Sequence, residues 1–330
     1  MRAVLARRHG PPETLSLEEL PALVPAAGEV VVAVHAAAVN FPDTLIIEDR
    51  YQIKPPLPFS PGGEVAGVVK ALGPGVTGFA VGDPVIAACR YGGFAEEVVT
   101  TPDRLVPVPH GVRMEAAAAL LMTYGTTHYA LQDCARIAPG ETLLVLGAAG
   151  GTGLSAIELG KLLGARVIAA ASSAEKLALC RARGADETIL YTPQNLKDEI
   201  KRLTRDQGVD VVYDPVGGEY AEPALRGMAW GGRYLVIGFT AGIPKLPMNL
   251  PLLKGCSIVG VFYGAFAKKF PQRYAQLRAE LVGWLAEGRV QPAITARYPL
   301  EQAAEALRLV ADRQALGKIV LTTALGRGEA

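Results

Sequence analysis

Cysteine is scarce. The four in the chain (Cys89, Cys134, Cys180 and Cys256) stand far apart with no C-x-x-C pair, which argues against both a disulfide framework and a zinc knuckle. No stretch of 18 uninterrupted apolar residues occurs, so no membrane span is expected. Charge of one sign is also missing: 33 Lys and Arg face 32 Asp and Glu, for a formal net charge of +1. That balance leaves no electrostatic footprint for nucleic acid or an anionic membrane. The opening stretch "MRAVLARRHGPPETLSLEELP" carries charge too early and too often for a signal peptide, and a cytoplasmic protein is expected. There is no internal repeat, and the 37 glycines and 24 prolines form no low-complexity tract. A length of 330 residues predicts two domains.

Patterned segments fill the space these absences leave. Over the first 110 residues, "GEVVVAVHAAAVN", "GGEVAGVVKALG", "DPVIAAC" and "FAEEVVTT" are β-branched runs bounded by the turn signals "PAAG", "PGVTGFAVGD" and "RYGG". They predict an antiparallel, barrel-like β domain. The texture changes near residue 112, where "MEAAAALLMTYGTTHYALQD" is helical in composition. From residue 142, apolar runs ("TLLVLG", "RVIAAA", "TILY", "VDVVYD", "RYLVIGF") alternate with amphipathic helices. That alternation predicts βαβ units around a buried parallel sheet. "CSIVGVFYG" at 256–264 is expected as a last strand at the sheet edge, followed by two helices and the terminal strand "KIVLTT".

Between the first strand of that series and its helix lies the turn "GAAGGTG", residues 147–153. A glycine turn in strand–turn–helix context predicts a dinucleotide site. Gly150 lets the backbone approach a pyrophosphate, and Gly153 lets helix and strand pack closely. The helix N-terminus, with Gly151 and Thr152, then faces the phosphates. A tight β-to-α turn without a ligand is the blander alternative. The second strand ends in Ala171, Ser172 and Ser173, where a cofactor without a 2′-phosphate usually meets an acid. Glu175 is the nearest, and Ser172-x-x-Glu175 reads as a capping box for the next helix. Small hydroxyls beside Lys176 make a corner suited to a phosphate, so NADPH is expected rather than NADH.

Over nearly its whole length the chain resembles the medium-chain dehydrogenase/reductase superfamily, and within it the zinc-free quinone oxidoreductases related to ζ-crystallin. The resemblance is carried by "AAAVNFPDTLIIEDRYQ", "PFSPGGEVAGVVKALGPGVTGFAVGDPV", "YGTTHYAL", "GAAGGTG" and "LGKIVLTT". It implies an α/β protein in which a Rossmann doubly wound parallel sheet is inserted into a GroES-like β-barrel catalytic domain. The expected bounds are 1–122 for the first part of the catalytic domain, 123–264 for the NADPH-binding domain and 265–330 for the return. The zinc-dependent members of the superfamily have Cys, His and Cys where this chain has Asn40, Gly63 and, nearby, Thr123. A metal-free site is therefore expected.

The resemblance also implies roles. Without a Lewis acid the acceptor must already be electron-poor, such as a quinone or another α,β-unsaturated carbonyl. Asn40 is expected to orient the substrate or donate to its oxygen, and Tyr51 to deliver a proton. Thr127 is expected near the nicotinamide. Lys176 and Tyr191 are expected at the 2′-phosphate, with Ser172 and Ser173 beside them and Arg313 assisting. Gly238 and Phe239 end a later strand where ligands bind in such sheets. A homodimer joined through the edge strand at 257–264 is implied as well. Two alternatives stay open: an enoyl thioester reductase, with Arg50, Lys54 and residues 267–273 as a basic entrance, and a non-catalytic NADPH-binding protein. A short-chain dehydrogenase is set aside because no Y-x-x-x-K pair occurs.

Overall fold

Valine and alanine runs become the strands of a first sheet. In the computed structural model, which describes residues 1–192 and 194–329, β1 (Arg2–Leu5) pairs antiparallel with β2 (Ser16–Glu19). The long strand β3 (Val30–Val39) leads into helix α1 (Phe41–Ile47). Strands β4 (Glu64–Leu72), β5 (Pro84–Ala88), β6 (Glu97–Thr100) and β7 (Leu105–Pro107) follow, then helix α2 (Met114–Ala118). β3 pairs antiparallel with β4, β4 with β5, and β5 with β7, while β6 runs along the first residues of β3. Val30, Val32, Val34, Val65, Val85 and Phe94 fill the core beneath this sheet.

A second texture begins at helix α3 (Thr123–His128), which continues into a π-helical turn at Tyr129–Cys134. Six parallel strands follow: β8 (Thr142–Val145), β9 (Arg166–Ala171), β10 (Glu187–Leu190), β11 (Val209–Asp214), β12 (Met228–Val236) and β13 (Ser257–Gly260). Between them run helices α4 (Gly151–Leu162), α5 (Ala174–Ala182), α6 (Leu196–Thr204), α7 (Ala221–Arg226) and α8 (Asn249–Lys254). The strand order is β10-β9-β8-β11-β12-β13, a doubly wound sheet whose order reverses between β8 and β11. The central strands are buried on both faces, as short apolar runs in a parallel sheet require.

After α9 (Tyr263–Lys269) and α10 (Pro271–Ala286) the chain returns to the first sheet. β14 (Ile294–Pro299), α11 (Ala303–Ala311), β15 (Lys318–Thr322) and α12 (Ala324–Arg327) complete it. β15 lies between β14 and the second half of β3. Two units result: Met1–Met122 together with the chain from Leu281 onward, and Thr123–Glu280.

Two expectations change. The second unit runs to Glu280 rather than 264, so the boundary falls inside α10. The edge strand is four residues long, because its partner β12 ends at Val236 and leaves nothing to pair beyond Gly260; Tyr263 already starts a helix. No helix among the described residues is long and apolar enough to cross a membrane.

Candidate active site

The glycine turn separates what the fold needs from what it does not. Gly147 has φ +56°, and a Cβ there would lie 2.7 Å from Val216. A Cβ on Gly153 would meet the Gly147 carbonyl oxygen at 2.5 Å and Ala148 backbone at 2.6 Å, so α4 can lie on the turn only with glycine at this position. Gly150 is different. Its φ is −77° and a Cβ would meet only the Gly147 oxygen, at 3.4 Å. The fold leaves open a space that a side chain would fill. No side chain caps α4, so the N–H groups of its first turn, at Gly151, Thr152 and Gly153, point out at its positive end. This cradle fits a pyrophosphate.

The ends of β9 and β10 make a second corner of the same unit. Ser173, not Ser172, caps α5, its hydroxyl accepting from the Lys176 N–H at 3.3 Å. The expected Ser172–Glu175 capping box is therefore not formed, because the helix starts one residue later. Ser172 Oγ instead accepts from Lys176 Nζ at 3.1 Å. Thr192 Oγ1 donates to the Ser172 carbonyl at 3.2 Å, and Tyr191, whose ring centroid is 4.4 Å from that of Tyr220, donates its N–H to Ala171. Ser172, Lys176 and Tyr191 thus converge at the carboxyl ends of two adjacent strands, while Glu175 is exposed.

Farther along the same sheet edge, Gly238 donates its N–H to the Asp214 carbonyl and Phe239 is partly exposed. The Asp214 carboxylate accepts from the N–H groups of Val216 and Gly217 at 2.7 and 2.8 Å, holding the loop after β11. Its burial raises its pKa. Arg313 belongs to the other unit, exposed after α11 with φ +59°.

Thr127 has a different place from the one expected. It is fully buried, and its hydroxyl meets Ser155 Oγ at 2.7 Å and the Tyr213 hydroxyl at 2.9 Å. Nothing of it is left to face a nicotinamide.

In the first unit, Asn40 sits at the start of α1, buried at 6% exposure. Its amide donates to the Ala38 carbonyl at 3.2 Å and to Glu64 Oε1 at 3.0 Å, and its Oδ1 accepts from Lys318 Nζ at 2.6 Å. Both amide hydrogens are engaged, so Asn40 acts as a support, and the expected donation to a substrate oxygen is not available in this geometry. Lys318 also reaches Glu64 at 3.2 Å, an ion pair with both side chains almost wholly buried. Beside them Asp43 accepts from the Asn40 N–H at 2.8 Å and the Gly62 N–H at 3.3 Å. Burial pushes its pKa up to about 7. Tyr51 packs half-buried against the core of this unit; burial, and then the nearby Asp43, raise its pKa.

Sequence reasoning assigned no role to Glu64, Asp43, Lys318 or Tyr213. One signal was available for Lys318: a single cation inside the apolar run "KIVLTT", whose strand is buried throughout. Among the described residues no three His, Cys, Asp or Glu side chains group as a metal site.

A parallel sheet with an uncapped glycine turn, inserted into a mostly antiparallel β unit, defines the class: a two-domain dehydrogenase or reductase of the dinucleotide type. Residues 26–110 match the family model of the alcohol dehydrogenase GroES-like domain, and residues 151–280 that of the zinc-binding dehydrogenases. The quinone oxidoreductase-like protein 2 homolog of Nematostella vectensis is 38% identical over 98% of this chain and 89% of its own length. Among solved structures, the Escherichia coli quinone oxidoreductase complexed with NADPH matches with a TM-score of 0.90 at 29% identity, covering 98% of this chain and 100% of that one. The CurK enoyl reductase matches with a TM-score of 0.88 at 26% identity, covering 98% and 99%. The chain belongs to the medium-chain dehydrogenase/reductase superfamily, among its quinone oxidoreductase-like members, and is an oxidoreductase.

Proposed function

We propose that the chain binds NADPH and reduces quinones or other α,β-unsaturated carbonyls without a metal. The observation that carries this reading is the corner at the end of β9, where Lys176 donates to Ser172 at 3.1 Å and the strand ends in Ala171, Ser172 and Ser173 rather than in an acid. Such a corner accepts a 2′-phosphate that an acidic residue would repel. Bound NADPH would supply a hydride. The chain's own part is to hold the pyrophosphate on the first turn of α4, with Gly238 and Phe239 along the same edge, and to keep a proton on the Tyr51 oxygen. A tyrosine of raised pKa stays protonated at neutral pH and serves as a donor rather than a base. The metal-free reading rests on the residue types at Asn40, Gly63 and Thr123.

An enoyl thioester reductase is the second reading, favoured by the likeness to the CurK enoyl reductase. Against it, three cations of the expected basic entrance are already paired: Arg50 with Glu48, Lys54 with Asp49, and Arg273 with Asp133. The quinone reductase reading also includes a homodimer. Among the described residues β13 has one neighbour, β12, and the chain just before and after it carries the exposed apolar side chains Leu252, Leu253 and Phe262.

The test is steady-state oxidation of NADPH with a quinone, an enone and an enoyl-CoA. Turnover with the first two and little with the third supports the proposal. The reverse order supports the thioester reading, and tight NADPH binding with no turnover on any acceptor leaves a binding protein. Lys176→Ala is expected to weaken NADPH by about tenfold or more while leaving NADH within twofold, the loss expected for one charge-assisted contact. Equal losses for the two cofactors would remove the phosphate assignment.

A further inference from the structure

Tyr213 is the penultimate residue of β11, fully buried in the middle of the parallel sheet. A phenol hydroxyl in that position needs partners, and it has them among other hydroxyls. It lies 2.9 Å from Thr127 Oγ1, which lies 2.7 Å from Ser155 Oγ. Ser155 in turn donates to the Thr152 carbonyl at 2.9 Å. One assignment of protons uses all three donors: Tyr213 to Thr127, Thr127 to Ser155, and Ser155 to the Thr152 carbonyl. The chain of bonds ends on the carbonyl of the second residue of α4, the helix whose first turn carries no side-chain cap.

We propose that Tyr213 is a positioning residue for the cofactor, acting through Thr127 and Ser155 to fix the first turn of α4 so that its N–H groups converge on the pyrophosphate. The relay ties α3, α4 and β11 together at the first turn of α4. A turn fixed before binding does not have to be ordered by the ligand, and that is where the affinity arises. The inference rests on the NADPH reading, and the experiment below distinguishes a failure of one from a failure of the other.

Tyr213→Phe removes the hydroxyl and keeps the ring; Thr127→Val removes a hydroxyl at nearly constant volume, and Thr127→Ser restores it. Dissociation constants are measured for NADPH and for 2′-AMP, which carries the 2′-phosphate but no pyrophosphate. Tyr213→Phe and Thr127→Val are expected to weaken NADPH about 5- to 20-fold, the effect of one lost hydrogen bond. Thr127→Ser is expected within about twofold of wild type, and 2′-AMP affinity within about twofold in all variants. If Tyr213→Phe does not fold, the Thr127→Val and Thr127→Ser pair carries the test. Unchanged NADPH affinity without the hydroxyls, or equal losses for NADPH and 2′-AMP, overturns the proposal, the second outcome marking a general loosening of the unit. Wild type that binds 2′-AMP but not NADPH also overturns it. Wild type that binds neither overturns the cofactor reading itself.

Discussion

Asp43 is a carboxylic acid held where water does not reach, and burial brings its pKa from an ordinary 3.8 to about 7. Between those values the folded chain retains a proton that the unfolded chain has released. Its contribution to stability therefore falls as pH rises from about 4 through 7, by up to roughly 4 kcal/mol for a shift of this size. Other groups titrate in the same range, so the informative quantity is the difference between wild type and Asp43→Asn in urea unfolding at a series of pH values. That difference should move in favour of Asp43→Asn as pH rises, and a flat difference would show that the acid titrates normally. Tyr51 has the complementary role. Tyr51→Phe is expected to lower kcat with a quinone or enone by about 10²- to 10³-fold, as loss of a positioned proton donor does. NADPH affinity should stay within about twofold, and a kcat as high as wild type would leave the tyrosine a wall residue.

The turn before α4 lets two glycines be told apart. Gly153→Ala places a methyl against backbone at 2.5–2.6 Å. It should cost about 1–3 kcal/mol of stability together with cofactor affinity, as overpacking does. Gly150→Ala meets only one atom, at 3.4 Å. It should leave the melting temperature within about 3 °C and still weaken NADPH about tenfold or more, because the methyl enters the space the pyrophosphate needs. Equal behaviour of the two variants would mean that the turn is shaped for the fold alone. This contrast marks how far the sequence carried the reading. The pattern of "GAAGGTG" between a strand and a helix predicted the cradle, since periodicity and glycine spacing are local signals. Local signals also misplaced the cap of α5 by one residue, because Ser172 and Ser173 have equal capping chemistry and only the backbone path decides between them. The hydrogen-bond partners of Thr127 and Asn40 were not legible for a longer-range reason. Their partners, Tyr213, Glu64 and Lys318, lie 86, 24 and 278 residues away in sequence, and no spacing rule connects them.

For the whole molecule, the change of texture near residue 112 marked where the parallel-sheet unit begins, whereas the return of the chain to the first unit was legible only through the resemblance to the superfamily. The end of the second unit was set early because α10 crosses it without a break in composition. The open edge of β13 leads to a prediction about assembly. Ile258, partly exposed on that edge, changed to Lys should convert a dimer into a monomer in sedimentation at about micromolar concentration, since charge on an edge strand opposes pairing. A wild-type chain that already sediments as a monomer removes the dimer from the reading.

The placement of β15 has a consequence for how the chain is made. Val39 of β3 and Lys318 of β15 are joined by a hydrogen bond across 279 residues. A ribosome at about 5–20 residues per second takes at least roughly 14 seconds to cover that distance. Throughout that interval the second half of β3 has an open edge, and Glu64 lacks the cation that neutralises it. The parallel-sheet unit, by contrast, is contiguous from Thr123 to Glu280 and has all its strands before β15 is synthesised. The inserted unit is therefore the first to have its whole chain available during translation. The β unit that encloses it in sequence waits for its last strand, which delivers the closing edge and the buried ammonium in one step.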